Sequence, residues 1–178
     1  MSGPDPASRN SAPPVLVRGL TRRYGPLRAL DGVDLRLEQG EFLTVFGPNG
    51  AGKTTLLKIL AGLVRPTSGS VMLFGLNPRE EPDSVKRRLG LIAHTGLLYG
   101  GLTARDNLRF YARMYDLPEA DSRAEALLSE VGLAERAGHL VRGFSRGMQQ
   151  RLSIARALIH DPEIVLLDEP YTGLDQHA

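Results

Sequence analysis

Apolar residues along this chain recur with two different spacings, and the spacing changes near position 100. Before it they alternate with polar residues or come in short unbroken runs, the habit of strands. After it they recur every third or fourth residue, the habit of helices. Residues 15–17 (VLV) form a short strand-like run, and Tyr24-Gly25 follows it. Residues 30–37 (LDGVDLRL) alternate as a half-buried strand does. Gln39-Gly40 then turns the chain into 42–46 (FLTVF), a continuous apolar run that reads as a buried strand. Leu56, Leu57, Ile59, Leu60 and Leu63 fit one buried helix face, with Gly62 placed to end the helix. Residues 65–69 (RPTSG) carry turn chemistry, and strands are predicted at 70–74 and 89–93, with His94 at the end of the second.

From Leu102 to His160 the helical spacing takes over. Thr103 and Asp106, three residues apart, form a capping signal ahead of Leu108, Tyr111, Ala112 and Tyr115. Ser122 and Glu125 repeat that signal ahead of Leu127, Leu128 and Val131. A third helix is predicted to start at Ser145, bury Met148, Leu152, Ala155 and Ile159, and stop before Pro162. Residues 164–167 (IVLL) read as a fully buried strand of the parallel type. The layout read from this spacing is α/β: a sheet with a helical insertion, then one more strand. Residues 1–14, rich in Ser, Pro, Gly and Asn, read as a disordered tail before a domain at 15–178.

Composition narrows the classes. The chain has 178 residues, 42% hydrophobic and 24% charged, enough for one real core. A net charge of +2 argues weakly at most for a nucleic-acid or membrane-surface partner. There is no cysteine, hence no disulfide framework and no thiolate chemistry. No stretch approaches the roughly 20 apolar residues of a membrane span. A protein of this kind that works at a membrane needs another chain for the span.

The chemistry centres on Gly47-Pro48-Asn49-Gly50-Ala51-Gly52-Lys53-Thr54-Thr55, which fits the phosphate-binding pattern G-x-x-x-x-G-K-[ST]. Its glycines let the backbone approach an anion without a Cβ in the way. Its N–H groups and the start of the following helix supply partial positive charge. Lys53 is placed to reach the β- and γ-phosphates, and the Thr54 hydroxyl to ligate Mg²⁺. A glycine-rich turn before an ordinary helix is the plainer alternative. The strand before and the helix after favour a nucleoside triphosphate.

The strand at 164–167 closes on Asp168-Glu169. An acidic pair there is commonly a cap or a surface turn. Downstream of a phosphate loop, and at the carboxyl end of a strand, it has a chemical use. Asp168 suits Mg²⁺, usually through water. Glu169 suits the base that polarises an attacking water.

With these residues in hand, the chain resembles the ATP-binding subunits of ABC transporters over residues 15–178. Phe144-Ser145-Arg146-Gly147-Met148-Gln149-Gln150-Arg151 is similar to that family's Leu-Ser-Gly-Gly-Gln signature followed by Gln-Arg, and it precedes the Asp168-Glu169 strand. The resemblance implies the α/β P-loop NTPase fold, a mostly parallel sheet with antiparallel strands near the N-terminus and an inserted helical subdomain at about 96–160, with ATP and Mg²⁺ as ligands. It implies a head-to-tail dimer, in which Ser145 and Gly147 of a second ATP-binding subunit close over ATP held by Lys53. It implies integral membrane permease subunits as partners, at the cytoplasmic face of the cell membrane. It makes Tyr24 the aromatic that stacks on adenine, where the sequence alone suggests packing. It assigns Gly173-Leu174-Asp175 to the dimer contact. It puts His94 where the family has the glutamine that approaches Mg²⁺ and the water.

The chain departs from the family pattern at His94, at Arg146 in place of the first signature glycine, and at Met148 in place of the signature glutamine. The family also has, past the point matching Ala178, a further strand and a histidine near the γ-phosphate. By that measure the domain is incomplete, and an open sheet edge with exposed apolar surface is expected. Residues 102–117 (LTARDNLRFYARMYDL), Ala93-His94 and 144–151 are most similar to the heme-exporter ATPases of cytochrome c biogenesis. The alternatives are export of another small molecule or drug, and a truncated remnant without catalysis. A DNA- or ribosome-directed relative is disfavoured by the lack of a coiled-coil insertion or a second nucleotide domain. A GTPase is disfavoured by the lack of an Asn-Lys-x-Asp motif.

Overall fold

The computed structural model describes residues 12–93 and 97–168. They fall in two compact units, divided after Val85.

The first unit is built on a three-stranded antiparallel sheet of order β2-β1-β3. Strands β1 (Val15–Tyr24) and β2 (Leu27–Leu37) form a hairpin, longer than the runs at 15–17 and 30–37 foretold. The two-residue turn Gly25-Pro26 closes it, with Gly25 at φ 57° and Tyr24 opposite Leu27. Val15, Val17 and Leu20 turn into the core. The ladder shifts register between Val17 and Leu20, which keeps Leu20 buried although the strict two-residue period would place it outward. Strand β3 (Ser68–Leu73) pairs on the other side of β1, Val17 opposite Val71.

Helix α1 (Lys53–Leu60) buries Leu56, Ile59 and Leu60. Gly62 ends it as expected, at φ 71°, with its N–H on the Ile59 carbonyl at 3.0 Å and the Leu63 N–H on the Lys58 carbonyl at 2.8 Å. Leu63, assigned to the buried face, is 61% exposed, because it lies beyond the glycine that reverses the chain.

The larger correction concerns 42–46. These residues form no strand, and Phe42 and Phe46 are 86% and 89% exposed. Apolar composition states what a run would gain from burial. A parallel strand also needs hydrogen-bonded neighbours, and among the described residues none pairs with this run. Helix α2 (Pro82–Lys86), five residues long, has too short a pattern to stand out in the sequence and was not predicted.

The second unit combines a parallel strand pair with three longer helices. Strands β4 (Leu89–Ile92) and β5 (Ile164–Leu167) run in register, Leu89 opposite Ile164 and Ile92 opposite Leu167. Helix α3 (Ala104–Met114) starts as predicted. Thr103 accepts a hydrogen bond from the Asp106 N–H at 3.0 Å and donates its hydroxyl to the Asp106 carboxylate at 2.6 Å. Helix α4 (Ala120–Glu130) begins before the predicted cap, with Glu119 as N-cap in the left-handed region at φ 54° and no side-chain bond. Ser122 is thus inside the helix: Pro118 sets the break earlier, and the capping pattern at 122–125 is incidental.

Helix α5 (Arg146–Leu158) starts on Ser145 as predicted. Ala104, Leu108, Ala124, Leu128, Leu133, Leu152 and Ile159 form the core among these helices, each at most 1% exposed. Gly90 on β4 lets α5 approach closely, since a Cβ there would lie 2.7 Å from the Ala157 carbonyl oxygen and 2.9 Å from the Pro162 ring.

Candidate nucleotide-binding site

The phosphate loop occupies residues 47–52 and delivers the chain into α1. Gly52 is the N-cap, at φ 92° and ψ 1°, and no side chain caps the helix. A Cβ at Gly52 would fall 2.2 Å from the Ala29 carbonyl oxygen of β2, so only glycine fits. Gly50 is also left-handed, at φ 84°. The Leu56 N–H already bonds the Gly52 carbonyl at 2.9 Å. The first helical N–H groups, together with the helix dipole, form the kind of terminus that attracts an anion.

Lys53 folds back across this loop, donating from Nζ to the carbonyls of Gly47 (2.7 Å) and Pro48 (2.9 Å). It can exchange those neutral acceptors for phosphate oxygens without leaving the loop. Thr54 and Thr55 stand in the first turn of α1, half-buried. Asn49 and Ala51 are exposed, and the Ala51 N–H bonds the Pro48 carbonyl at 3.2 Å, holding the turn.

Tyr24 ends β1 and is 42% exposed. The Arg22 guanidinium lies 4.3 Å from its ring centre, a cation–π contact that covers one ring face. Arg22 is itself fixed by donation to the Arg65 carbonyl at 2.9 Å.

In the second unit Asp168 directly follows β5. It is 8% exposed, and its N–H bonds the Ile92 carbonyl at 2.9 Å, which continues the ladder one step past the strand. His94, Glu169 and the segment 173–175 lie outside the described residues.

Ser145 and Gly147 sit at the start of α5. The Ser145 hydroxyl oxygen accepts from the Met148 N–H at 3.2 Å. A hydroxyl used this way keeps its own hydrogen for a further acceptor. Nothing lies within 4 Å of where a Gly147 Cβ would be, so the helix start faces open space there.

Three polar groups of this unit escaped the sequence reading. Arg156, on the inner face of α5, is 8% exposed and donates from Nη2 to the Leu91 carbonyl at 2.6 Å. Burial lowers its pKa from the usual guanidinium value. His160, four residues on, places Nε2 3.1 Å from the Leu89 carbonyl and stacks on Tyr115 with ring centres 4.1 Å apart. Burial lowers its pKa as well. Asn107 is fully buried: its side chain accepts from the Tyr99 N–H at 2.8 Å and donates to the Tyr99 and Thr103 carbonyls at 3.0 and 2.9 Å. A charge inside the apolar stretch 154–159 was the available signal for Arg156.

Side chains on and just before α3 make a different surface. Leu102, Phe110 and Met114, with Asp106, Arg109 and Arg113, line an open groove of about 550 Å³.

A glycine-only helix cap behind a lysine-bearing loop, set on an α/β scaffold with antiparallel N-terminal strands and a parallel pair, defines a P-loop nucleoside triphosphatase fold. The comparisons narrow this. The family model described as ABC transporter matches residues 30–172. The ABC transporter ATP-binding protein NatA of Bacillus subtilis is 43% identical over 153 residues, 84% of this chain and 62% of that protein. The daunorubicin resistance ATP-binding protein DrrA3 of Streptomyces coeruleorubidus is 42% identical over 163 residues, 90% of this chain and 52% of that protein. A solved structure described as the ATP binding subunit of an ABC transporter superposes with a TM-score of 0.82 at 34% identity, covering 91% of this chain and 68% of that one. The chain belongs to the ABC transporter family, as an ATP-binding domain. It spans about half to three fifths of the length of these curated relatives.

Proposed function

We propose that this chain is the ATP-binding and ATP-hydrolysing subunit of an ABC exporter for a small, drug-like molecule. The observation that carries the reading is the phosphate loop: an uncapped helix start, a glycine that no other residue can replace, and Lys53 turned onto the loop. Lys53 and the loop N–H groups hold the β- and γ-phosphates, and Tyr24 stacks on adenine with Arg22 behind its ring.

Taken each by itself, the Thr54 hydroxyl and the buried Asp168 carboxylate are oxygen donors of the kind that Mg²⁺ takes. Bound Mg²⁺ supplies charge neutralisation on the phosphates. Glu169 takes the proton of the attacking water, and His94 orients that water. Ser145 and Gly147 close over the ATP of a second subunit, the serine donating the hydrogen that its cap role leaves available.

No helix among the described residues is long and apolar enough to cross a membrane. Permease subunits would supply the span and hold this subunit at the cytoplasmic face. The α3 groove, apolar with charges around it, suits a permease segment. It lies within the helical subdomain proposed at 96–160. The drug-resistance name of one relative favours drug export over heme export, for which the relatives above give no support.

The Lys53→Ala variant tests the site: ATP affinity is expected to fall at least a hundredfold, and near-parental affinity would sink the assignment. Glu169→Gln is expected to bind ATP and pair with a second subunit but not turn over. For the substrate, ATP hydrolysis by the subunit with its permease in vesicles should rise with an anthracycline and not with heme. Stimulation by heme alone would reverse the choice.

A further inference from the structure

Near the hairpin end, β2 holds one residue more than β1. Arg22 lies opposite Leu30 and Arg23 opposite Arg28, so the register skips Ala29, a one-residue bulge. The Ala29 carbonyl oxygen is the one that meets Gly52, so closely that a Cβ there would lie 2.2 Å away. Tyr24 stands opposite Leu27, two residues along β2 from that contact, roughly 7 Å of strand. The strand end that carries Tyr24 is therefore seated beside the phosphate loop.

A second tie comes from the far end of α1. Past Gly62 the segment 65–67 returns to β1. There the Thr67 N–H donates to the Thr21 carbonyl at 2.8 Å, and the Arg23 N–H donates to the Thr67 hydroxyl oxygen at 3.0 Å. Arg22, between Thr21 and Arg23, donates from Nη1 to the Arg65 carbonyl at 2.9 Å and lays its guanidinium 4.3 Å from the Tyr24 ring centre. Its Nε is buried and finds no acceptor among the described residues. Burying a donor unpaired costs free energy that an apolar side chain would avoid. The contact with the ring gives the charge a use that packing does not. The phosphate loop, α1, the segment 65–67 and the end of β1 thus close on themselves, and the guanidinium links that ring of contacts to Tyr24.

We propose that Arg22 is a positioning residue: it holds the Tyr24 side chain from behind and, through the Arg65 carbonyl, fixes it to the segment that follows α1. This rests on the base-stacking role given to Tyr24 above. Tyr24 is 42% exposed, and a side chain so exposed is otherwise ordered only on binding, at a cost in affinity. With the guanidinium on one face, the other face is left for a flat base. Arg22 acts through the ring, so its effect is confined to ligands that carry a base.

The test is a calorimetric titration of the full chain with MgATP and with inorganic tripolyphosphate, which has the phosphates and no base. Arg22→Met keeps an apolar stem and removes the charge and the donor. It should weaken ATP binding about two- to fivefold and leave tripolyphosphate binding within about twofold, which also shows that the variant is folded. Tyr24→Leu should weaken ATP binding at least about fivefold, and the double variant no further than Tyr24→Leu alone. Arg22→Lys, which keeps a cation and a donor, should retain more ATP affinity than Arg22→Met. If Tyr24→Leu leaves ATP affinity unchanged, the stacking role of Tyr24 is wrong. If Tyr24→Leu matters, the role of Arg22 is overturned by any of four results: unchanged ATP affinity in Arg22→Met, an equal loss of tripolyphosphate, effects of the two changes that multiply, or no advantage of lysine over methionine.

Discussion

Helices α1 and α5 begin in opposite ways. The first starts on a glycine in the left-handed region with no side chain to cap it; the second starts on a serine whose hydroxyl accepts from its own third residue. An α-helix leaves its first four N–H groups without partners inside the helix. The α1 start offers them to a ligand through backbone that no side chain caps, and Lys53 rests on loop carbonyls beside it. The α5 start satisfies one of them internally and presents the serine's remaining hydrogen. A helix terminus is therefore an anion site to the degree that its own sequence declines to cap it. By that measure α1 suits an anion by itself, while α5 suits the role proposed for Ser145, closing a site that a second subunit brings.

The sharpest way to break this comparison is at Gly52. Gly52→Ala puts a methyl 2.2 Å from the Ala29 carbonyl oxygen at a φ of 92°. Nucleotide affinity should fall by roughly a hundredfold or more, read by titration with a fluorescent ATP analogue. Retained affinity would mean that the loop does not need this conformation.

A pair of changes at Ser145 separates cap from ligand. Ser145→Ala loses the cap and should cost about 1 kcal/mol of stability in denaturant unfolding. Ser145→Asp keeps a good cap and should keep the stability, yet its charge repels phosphate, so ATP-driven pairing of subunits should be lost. If both variants pair normally, the α5 start does not meet ATP.

His160 gives a smaller, pH-dependent effect. Burial holds its folded pKa below the usual 6.5. Above that value both folded and unfolded chains are neutral there. As pH falls through 6.5 the unfolded chain takes up a proton that the folded one resists, so stability is lost from there down to the folded pKa. His160→Gln retains a donor for Leu89 and should flatten the fall in melting temperature between pH 7.5 and 5.5. An unchanged fall would assign the acid sensitivity elsewhere.

The smallest effect is expected at Arg88–Glu163, a pair at 2.5 and 2.8 Å with both side chains more than a third exposed. The Arg88 hydrogen bond lowers the Glu163 pKa. Solvent screens such pairs, so Glu163→Gln should change stability by less than about 1 kcal/mol at neutral pH.

The sequence made the two helix starts legible because each is written in local residue types: a glycine before a lysine, a serine before an apolar face. It also marked β5, α3 and the end of α1. It misled at 42–46, where apolar composition stood in for hydrogen-bonded neighbours, and at Ser122, where a capping pattern fell inside a helix that Pro118 had already started. It was silent on Asn107, Arg156 and His160, because their partners are backbone carbonyls and N–H groups, which every residue carries. A side chain that binds backbone leaves no complementary partner to find along the chain.

Gly90 turns the closeness of β4 and α5 into a genetic handle. A methyl there would press on the Ala157 carbonyl and on Pro162, and either the strand or the helix must give way. Neither lies in the phosphate loop, so a Gly90→Ala allele should leave nucleotide recognition intact while loosening the framework that carries Arg156. Such an allele is expected to be conditional, tolerated in the cold and lost on warming. Suppressors that restore growth should then fall among smaller or more flexible residues at Ala157 and Pro162.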